Sequence, residues 1–166
     1  MRDFETVDMA IHAALTGHLV VSTLHTNDSP SAIIRLMDIG IAPYLVTSSV
    51  RGIVSQRLVR KICPRCKTER EPKRDEWEAV FSSSRPMPDK IYEGKGCDLC
   101  SQTGYLGRLA ISEVMVLTDK LRNFIMTKPD SNSLLAVAKE EGLITLMDEA
   151  AIKVGQGITK IGRAHV

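Results

Sequence analysis

The 166 residues suit one domain, or one domain with a small appendage, and 43% apolar with 25% charged residues is enough to bury a core. Aromatics at 4% argue against a base-stacking RNA binder or an aromatic-rich β-sandwich, and Lys+Arg 22 against Asp+Glu 20 is too balanced for an obligate nucleic-acid protein. No apolar run reaches the roughly 18–20 residues of a membrane span, and Met1-Arg2-Asp3-Phe4-Glu5 lacks the order of a signal peptide, so the expectation is a soluble intracellular protein.

In chain order, residues 6–15 read as a helix with Met9, Ile11 and Leu15 on its apolar side and Gly17 placed to end it. Leu19-Val20-Val21-Ser22-Thr23-Leu24 reads as a strand apolar on both faces, the pattern of a buried parallel strand. His25-Thr26-Asn27-Asp28 is a polar loop. A second helix opens with Ser29 as N-cap and Pro30 at its first position, and Gly40 closes it. Pro43 starts a third helix running to about Arg51, and Gly52 to Ile62 reads as a strand. This helix–strand–helix order predicts part of an α/β sheet.

From Cys63 to about Gly107 prolines and glycines crowd the chain and large apolar residues thin out, so this stretch is expected to build little core of its own. A short helix over Asp75–Phe81 would carry Trp77 and Phe81 on one side. Arg108–Val116 reads as a returning strand, followed by helices over 119–126, 131–141 and 146–155.

Two C-x-x-C pairs, Cys63-Pro-Arg-Cys66 and Cys97-Asp-Leu-Cys100, stand 30 residues apart. Each turn can aim two thiolates at one tetrahedral ion, and two turns close a four-sulfur shell with no open position for substrate. A structural Zn²⁺ site through Cys63, Cys66, Cys97 and Cys100 is the reading that fits a chain without an export signal; a redox dithiol pair and four unrelated buried cysteines are the alternatives. Arg57, Arg60, Lys61, Arg65, Lys67 and Arg70 against Glu69 can offset the charge of four thiolates on zinc. A nucleic-acid patch is disfavoured, because residues 1–56 carry three arginines against five carboxylates.

His25, Thr26 and Asn27 fall at the carboxyl end of the predicted strand, where open α/β sheets bind ligands and a following helix N-terminus favours an anion. His25 reads either as a phosphate-sensing group or as a histidine satisfied by loop carbonyls. His12 reads as a surface or packing residue. His18, at the strand's other end, reads as a packing residue whose replacement costs stability.

Met1-Arg2-Asp3-Phe4-Glu5-Thr6, Thr16-Gly17-His18-Leu19-Val20 and Ser22-Thr23-Leu24-His25-Thr26-Asn27 together resemble the traffic ATPases of type II secretion and type IV pilus assembly. Gln56-Arg57-Leu58-Val59-Arg60 before Cys63-Pro64-x-Cys66 is similar to the same family, as is Cys97-x-x-Cys100-x-x-Thr103-Gly104-Tyr105-x-Gly107-Arg108-x-x-Ile111-x-Glu113. The resemblance runs to about Thr159, and the tetracysteine insert implies the extension and secretion branch, since the pilus retraction motors lack it.

The resemblance implies a C-terminal fragment of a hexameric motor, with part of a RecA-like P-loop NTPase sheet. Residues 1–62 would be the C-terminal part of the ATPase domain, 63–107 the zinc insert, and 108–160 the return strand and a C-terminal helical segment. His25 would watch the γ-phosphate and Arg2 would orient the acidic metal-site strand, with Thr26, Asn27 and Arg57 near the nucleotide. ATP and Mg²⁺ would serve the intact motor. Its partners would be other subunits of a homo-hexamer and inner-membrane platform or secretion-system proteins, and its place the cytoplasmic side of the inner membrane. No G-x-x-x-x-G-K-[ST] loop occurs in the sequence, and the family's water-activating Glu would precede residue 1, so this stretch is expected to have no turnover of its own. A stand-alone zinc-ribbon binding module is the alternative. Ile161–Val166 resembles a translated sequencing-adapter read and is expected to lie outside the native sequence.

Overall fold

In the computed structural model, which describes residues 1, 3–81 and 85–162, the chain is mixed α/β. It runs α1 (Phe4–Leu15), α2 (Ser29–Asp38), α3 (Pro43–Ser49), β1 (Gly52–Ile62), β2 (Lys67–Arg70), α4 (Arg74–Phe81) and β3 (Ile91–Gly94). A 3-10 turn (Asp98–Cys100) follows, then β4 (Tyr105–Val116), α5 (Asp119–Ile125), α6 (Ser131–Glu140) and α7 (Leu146–Gly155). β1 pairs with β4. β2 pairs antiparallel with β3, with Lys67 opposite Gly94 and Arg70 opposite Ile91. None of the described helices is long and apolar enough to cross a membrane.

Local chemistry accounts for most helix ends. Asp3 caps α1 by accepting the Thr6 N–H, and Gly17 at φ +96° ends it in a conformation that only glycine takes at no steric cost. The buried side of α1 is Val7 and Ile11, at i and i+4. Met9 and Leu15, expected inside, stand exposed. Asp28, and not Ser29, caps α2: its carboxylate accepts the Ser31 N–H, while Ser29 is already the first helical residue with Pro30 beside it. Gly40 at φ +111° ends α2 as predicted. α3 stops at Ser49, two residues short of the expected Arg51.

The strand expected over residues 19–24 is absent. The backbone there is irregular, and Leu19 and Val21 are 91% and 86% exposed. A buried strand exists only beside another strand that takes its ladder hydrogen bonds. Among the described residues the only sheets are the pairs β1–β4 and β2–β3, so the open parallel sheet is not formed here. Sequence pattern also missed β2 and β3, each only four residues long. Lys67-Thr68-Glu69-Arg70 carries no apolar residue to announce it.

The chain divides into two compact units. Met1–Ser55 with Glu113–Ile144 form the first, and Gln56–Ser112 with Thr145–Val166 the second. The first is built on Val7, Ile11, Ile33, Leu36, Val46, Leu121, Ile125, Leu134 and neighbours, with α2 against α3 and α6, α1 against α3, and α5 against α6. The second has a core after all. Trp77 and Phe81 of α4, Ile91 of β3, and Ala151 and Val154 of α7 pack together with Ile161. The apolar partners missing from the cysteine segment come from α7, far along the chain.

Candidate functional site

Two backbone segments bring the cysteines together. Cys63 follows the last residue of β1, and Cys66 precedes β2 directly. Cys97 and Cys100 bracket the 3-10 turn. The two segments are tied by Cys63 N–H donating to the Gly104 carbonyl at 3.0 Å and Lys95 N–H to the Cys66 carbonyl at 3.1 Å. Gly104, at φ +77°, and Gly94 come so close that a Cβ on either would strike the other's backbone, so glycine at both positions lets the cysteine turns approach.

The sulfurs of Cys63 and Cys97 lie 3.8 Å apart, as do those of Cys66 and Cys100, and Cys97 and Cys100 are separated by 3.7 Å. All four fall within 4.8 Å of one another. A tetrahedron with Zn–S arms of about 2.3 Å has edges of about 3.8 Å. A disulfide needs sulfurs about 2.05 Å apart, and all four cysteines are free. The donor set therefore fits a closed tetrahedral site and gives no support to a disulfide.

The thiols are already polarised. Burial opposes charge on Cys100, but the Cys97 and Gly104 backbone N–H groups donate to its sulfur at 3.2 and 3.3 Å, and its pKa is pulled down to about 6. Burial, reinforced by the neighbouring thiols, pushes Cys66 up to about 11.

Several cations expected to offset the thiolates have other partners. Arg70 pairs with Glu76 at 2.6 Å and Glu93 at 3.3 Å. Lys67 sits 4.1 Å over the Tyr92 ring, and Arg60 4.0 Å over that of Tyr105.

His25 and Asn27 are exposed in the loop before α2, and Thr26 is half-buried. The Thr26 hydroxyl donates to the Asp28 carbonyl at 3.3 Å, tying this loop to the helix cap. Arg57 is an exposed residue of β1, and Arg2 lies outside the described residues. His18 is exposed with its Nδ1 3.2 Å from the Thr16 hydroxyl, so the packing role expected for it is not seen; the strand that would have buried it is not formed. His12 is a surface residue whose Nδ1 meets the Asp8 carbonyl at 2.9 Å.

Sequence reasoning gave no role to Glu113, which is 2% exposed on β4. Its signal was its phase: Ile111, Glu113 and Met115 alternate on the buried side of one strand, and a carboxylate in that register needs a partner. The partner is the Ser29 N–H, 2.7 Å away.

A mixed α/β chain with a tetrahedral four-cysteine cluster and a polar loop before a carboxylate-capped helix is the class this geometry defines. The sequence matches the Type II/IV secretion system protein family over residues 1–165, and the chain belongs to that family. It is 43% identical over 162 residues to the type IV pilus assembly ATPase TfpB of Acinetobacter baylyi, covering 97% of this chain and 28% of that protein. It is 42% identical over 163 residues to type II secretion system protein E of Pseudomonas aeruginosa, covering 97% of this chain and 32% of that protein. The chain thus spans about a third or less of these relatives. The X-ray structure of the Legionella pneumophila ATPase DotB shares the fold with a TM-score of 0.58 at 22% identity, over 96% of this chain and 34% of that one.

Proposed function

We propose that this chain is the C-terminal part of a hexameric, RecA-like motor ATPase that powers protein secretion or pilus extension. The observation that carries the reading is identity of about 40% along nearly the whole chain to secretion and pilus-assembly ATPases. These relatives do not favour a stand-alone zinc-ribbon module. The intact motor would bind ATP with Mg²⁺ and work at the cytoplasmic side of the inner membrane, against platform or secretion-system proteins.

Within that motor the two sites of this chain have separate tasks. Cys63, Cys66, Cys97 and Cys100 would hold one Zn²⁺, which would supply a structural cross-link and no open coordination position for chemistry. His25 stands on an exposed loop directly before the N-terminus of α2, where its ring can donate a hydrogen bond to a γ-phosphate oxygen that exists before hydrolysis and leaves afterwards. Thr26 and Asn27 would line the same approach, and Arg2 would orient the acidic metal-site strand.

The test uses the intact motor that carries this segment. His25→Ala should lower kcat by about 10²–10³, the usual cost of losing a donor aimed at developing transition-state charge, with nucleotide affinity and zinc content little changed. Parental turnover in that variant would remove His25 from the reaction.

A further inference from the structure

Glu113 is a buried carboxylate that neither the cysteine cluster nor the proposed role of His25 uses. Its Oε1 accepts the N–H of Ser29 at 2.7 Å, across 84 positions of sequence. Ser29 is fully buried, and its hydroxyl reaches the Glu113 main-chain oxygen at 3.5 Å and the Ser55 hydroxyl at 3.4 Å. Pro30 has no N–H, so the next N–H of the helix is that of Ser31, and it donates to the Asp28 carboxylate at 2.8 Å. The start of α2 is therefore held twice, by a local cap and by a carboxylate from a distant strand.

The duplication is informative. A local Asp cap is sufficient to begin a helix, and burying a second carboxylate carries a desolvation cost that only a good hydrogen bond offsets. What the distant carboxylate adds is position: it fixes the first residue of α2 against β4. The loop that ends at Asp28 is tied to the same point through the Thr26 hydroxyl.

We propose that Glu113 is a positioning residue whose carboxylate pins the Ser29 amide and so sets the placement of the His25-Thr26-Asn27 loop. The inference rests on the nucleotide-facing reading of His25 given above. It does not require charge at position 113. It requires an acceptor at that reach.

The experiment compares Glu113→Gln, Glu113→Asp, Glu113→Ala, His25→Ala and the His25→Ala/Glu113→Ala pair in the intact motor. It reads steady-state ATP hydrolysis, zinc content, circular dichroism and amide exchange of peptides covering residues 25–31. Glu113→Gln keeps an oxygen in place and should stay within about twofold of the parent, with loop exchange unchanged. Glu113→Asp keeps the charge but is one methylene short; it should lose about tenfold in kcat with KM within about twofold, and its loop should exchange faster, because small misplacements of a catalytic group are costly. Glu113→Ala should behave like the Asp variant, and the pair should be no slower than His25→Ala alone, because Glu113 acts through His25.

Parental turnover of Glu113→Asp beside an impaired His25→Ala overturns the inference alone. So does a Gln variant as slow as the Asp variant, or costs in the pair that simply multiply. Parental turnover of His25→Ala overturns the underlying reading, and the role of Glu113 with it. The Gln and Asp variants decide the matter even where Glu113→Ala fails to fold.

Discussion

The first unit gathers twelve buried residues into its core, drawn from helices α1, α2, α3, α5 and α6 together with β4 and adjoining loops, and nearly all are aliphatic. Among its described residues the second gathers one cluster of six, two of them the rings of Trp77 and Phe81 at 4.5 Å, and then places four thiols within 4.8 Å of one another. Beside that smaller cluster the second unit holds a set of four thiols whose spacing fits a metal ion, and the proposed Zn²⁺ would add ligation there to what the hydrophobic effect supplies. The two units thus differ in kind: the first packs mostly aliphatic side chains from five helices, and the second joins a smaller cluster with two aromatic rings to four converging thiols.

Chelation should break the comparison most sharply. Apparent zinc-binding free energies of about 10–16 kcal/mol in small zinc domains are folding free energy, so removing the metal, or Cys63→Ser, should unfold the second unit while the helices of the first persist. Circular dichroism with amide exchange checks this, and uniform loss of protection along the whole chain would contradict it. Metal analysis of protein purified without chelator should give one zinc per chain; none, with four freely titrating thiols, would remove the second half of the contrast.

Leu134→Ala probes the other unit. Leu134 is 0% exposed in the first core, and truncation should cost about 2–5 kcal/mol in denaturant unfolding with zinc content unchanged. An unchanged midpoint would mean that this core is not what holds the first unit.

A smaller effect is expected at the start of α6. The Ser133 hydroxyl and the Ser133 and Asn132 N–H groups donate to Asp130 and hold its carboxyl below the ordinary value of 3.8. A depressed folded pKa gives stability that is complete above the ordinary aspartate value and is lost as pH falls through the lower, folded one. Asp130→Ala should therefore lower the melting temperature of the first unit at pH 7, and the gap from the parent should narrow toward pH 3. A gap that widens on acidification would reverse the sign assigned to this cap. The smallest effect belongs to His18→Ala, within about 0.5 kcal/mol, since the ring is exposed with one hydroxyl beside it.

Much of this was legible in the chain itself. Gly52 to Ile62 formed the predicted strand with both ends in place, and α5, α6 and α7 lie within a residue or so of expectation. The helix carrying Trp77 and Phe81 buries both rings. Each of these is encoded locally, in apolar spacing and in turn residues. The cysteine cluster was legible for the same reason, since each C-x-x-C turn fixes the geometry of its own two ligands.

What sequence pattern could not show was anything set by a distant neighbour. Residues 19–24 read in sequence as a buried strand, yet a strand is a property of a pair, and among the described residues they have no partner strand. β2 and β3 are the converse: unremarkable tetrapeptides that become strands because each meets the other. The second core stayed hidden because half its side chains arrive from α7 and Ile161, and Glu113 stayed without a role because its partner lies 84 residues away. The sequence by itself determined most of the helices, the glycines that end α1 and α2, and the four converging cysteines, because 3.6-residue periodicity, glycine turns and two-cysteine turns act over a few neighbouring residues. Only the tertiary structure decided which strands exist, where the second core sits and which carboxylate holds the start of α2, because hydrogen-bond pairing and burial depend on groups that the chain brings together from far apart.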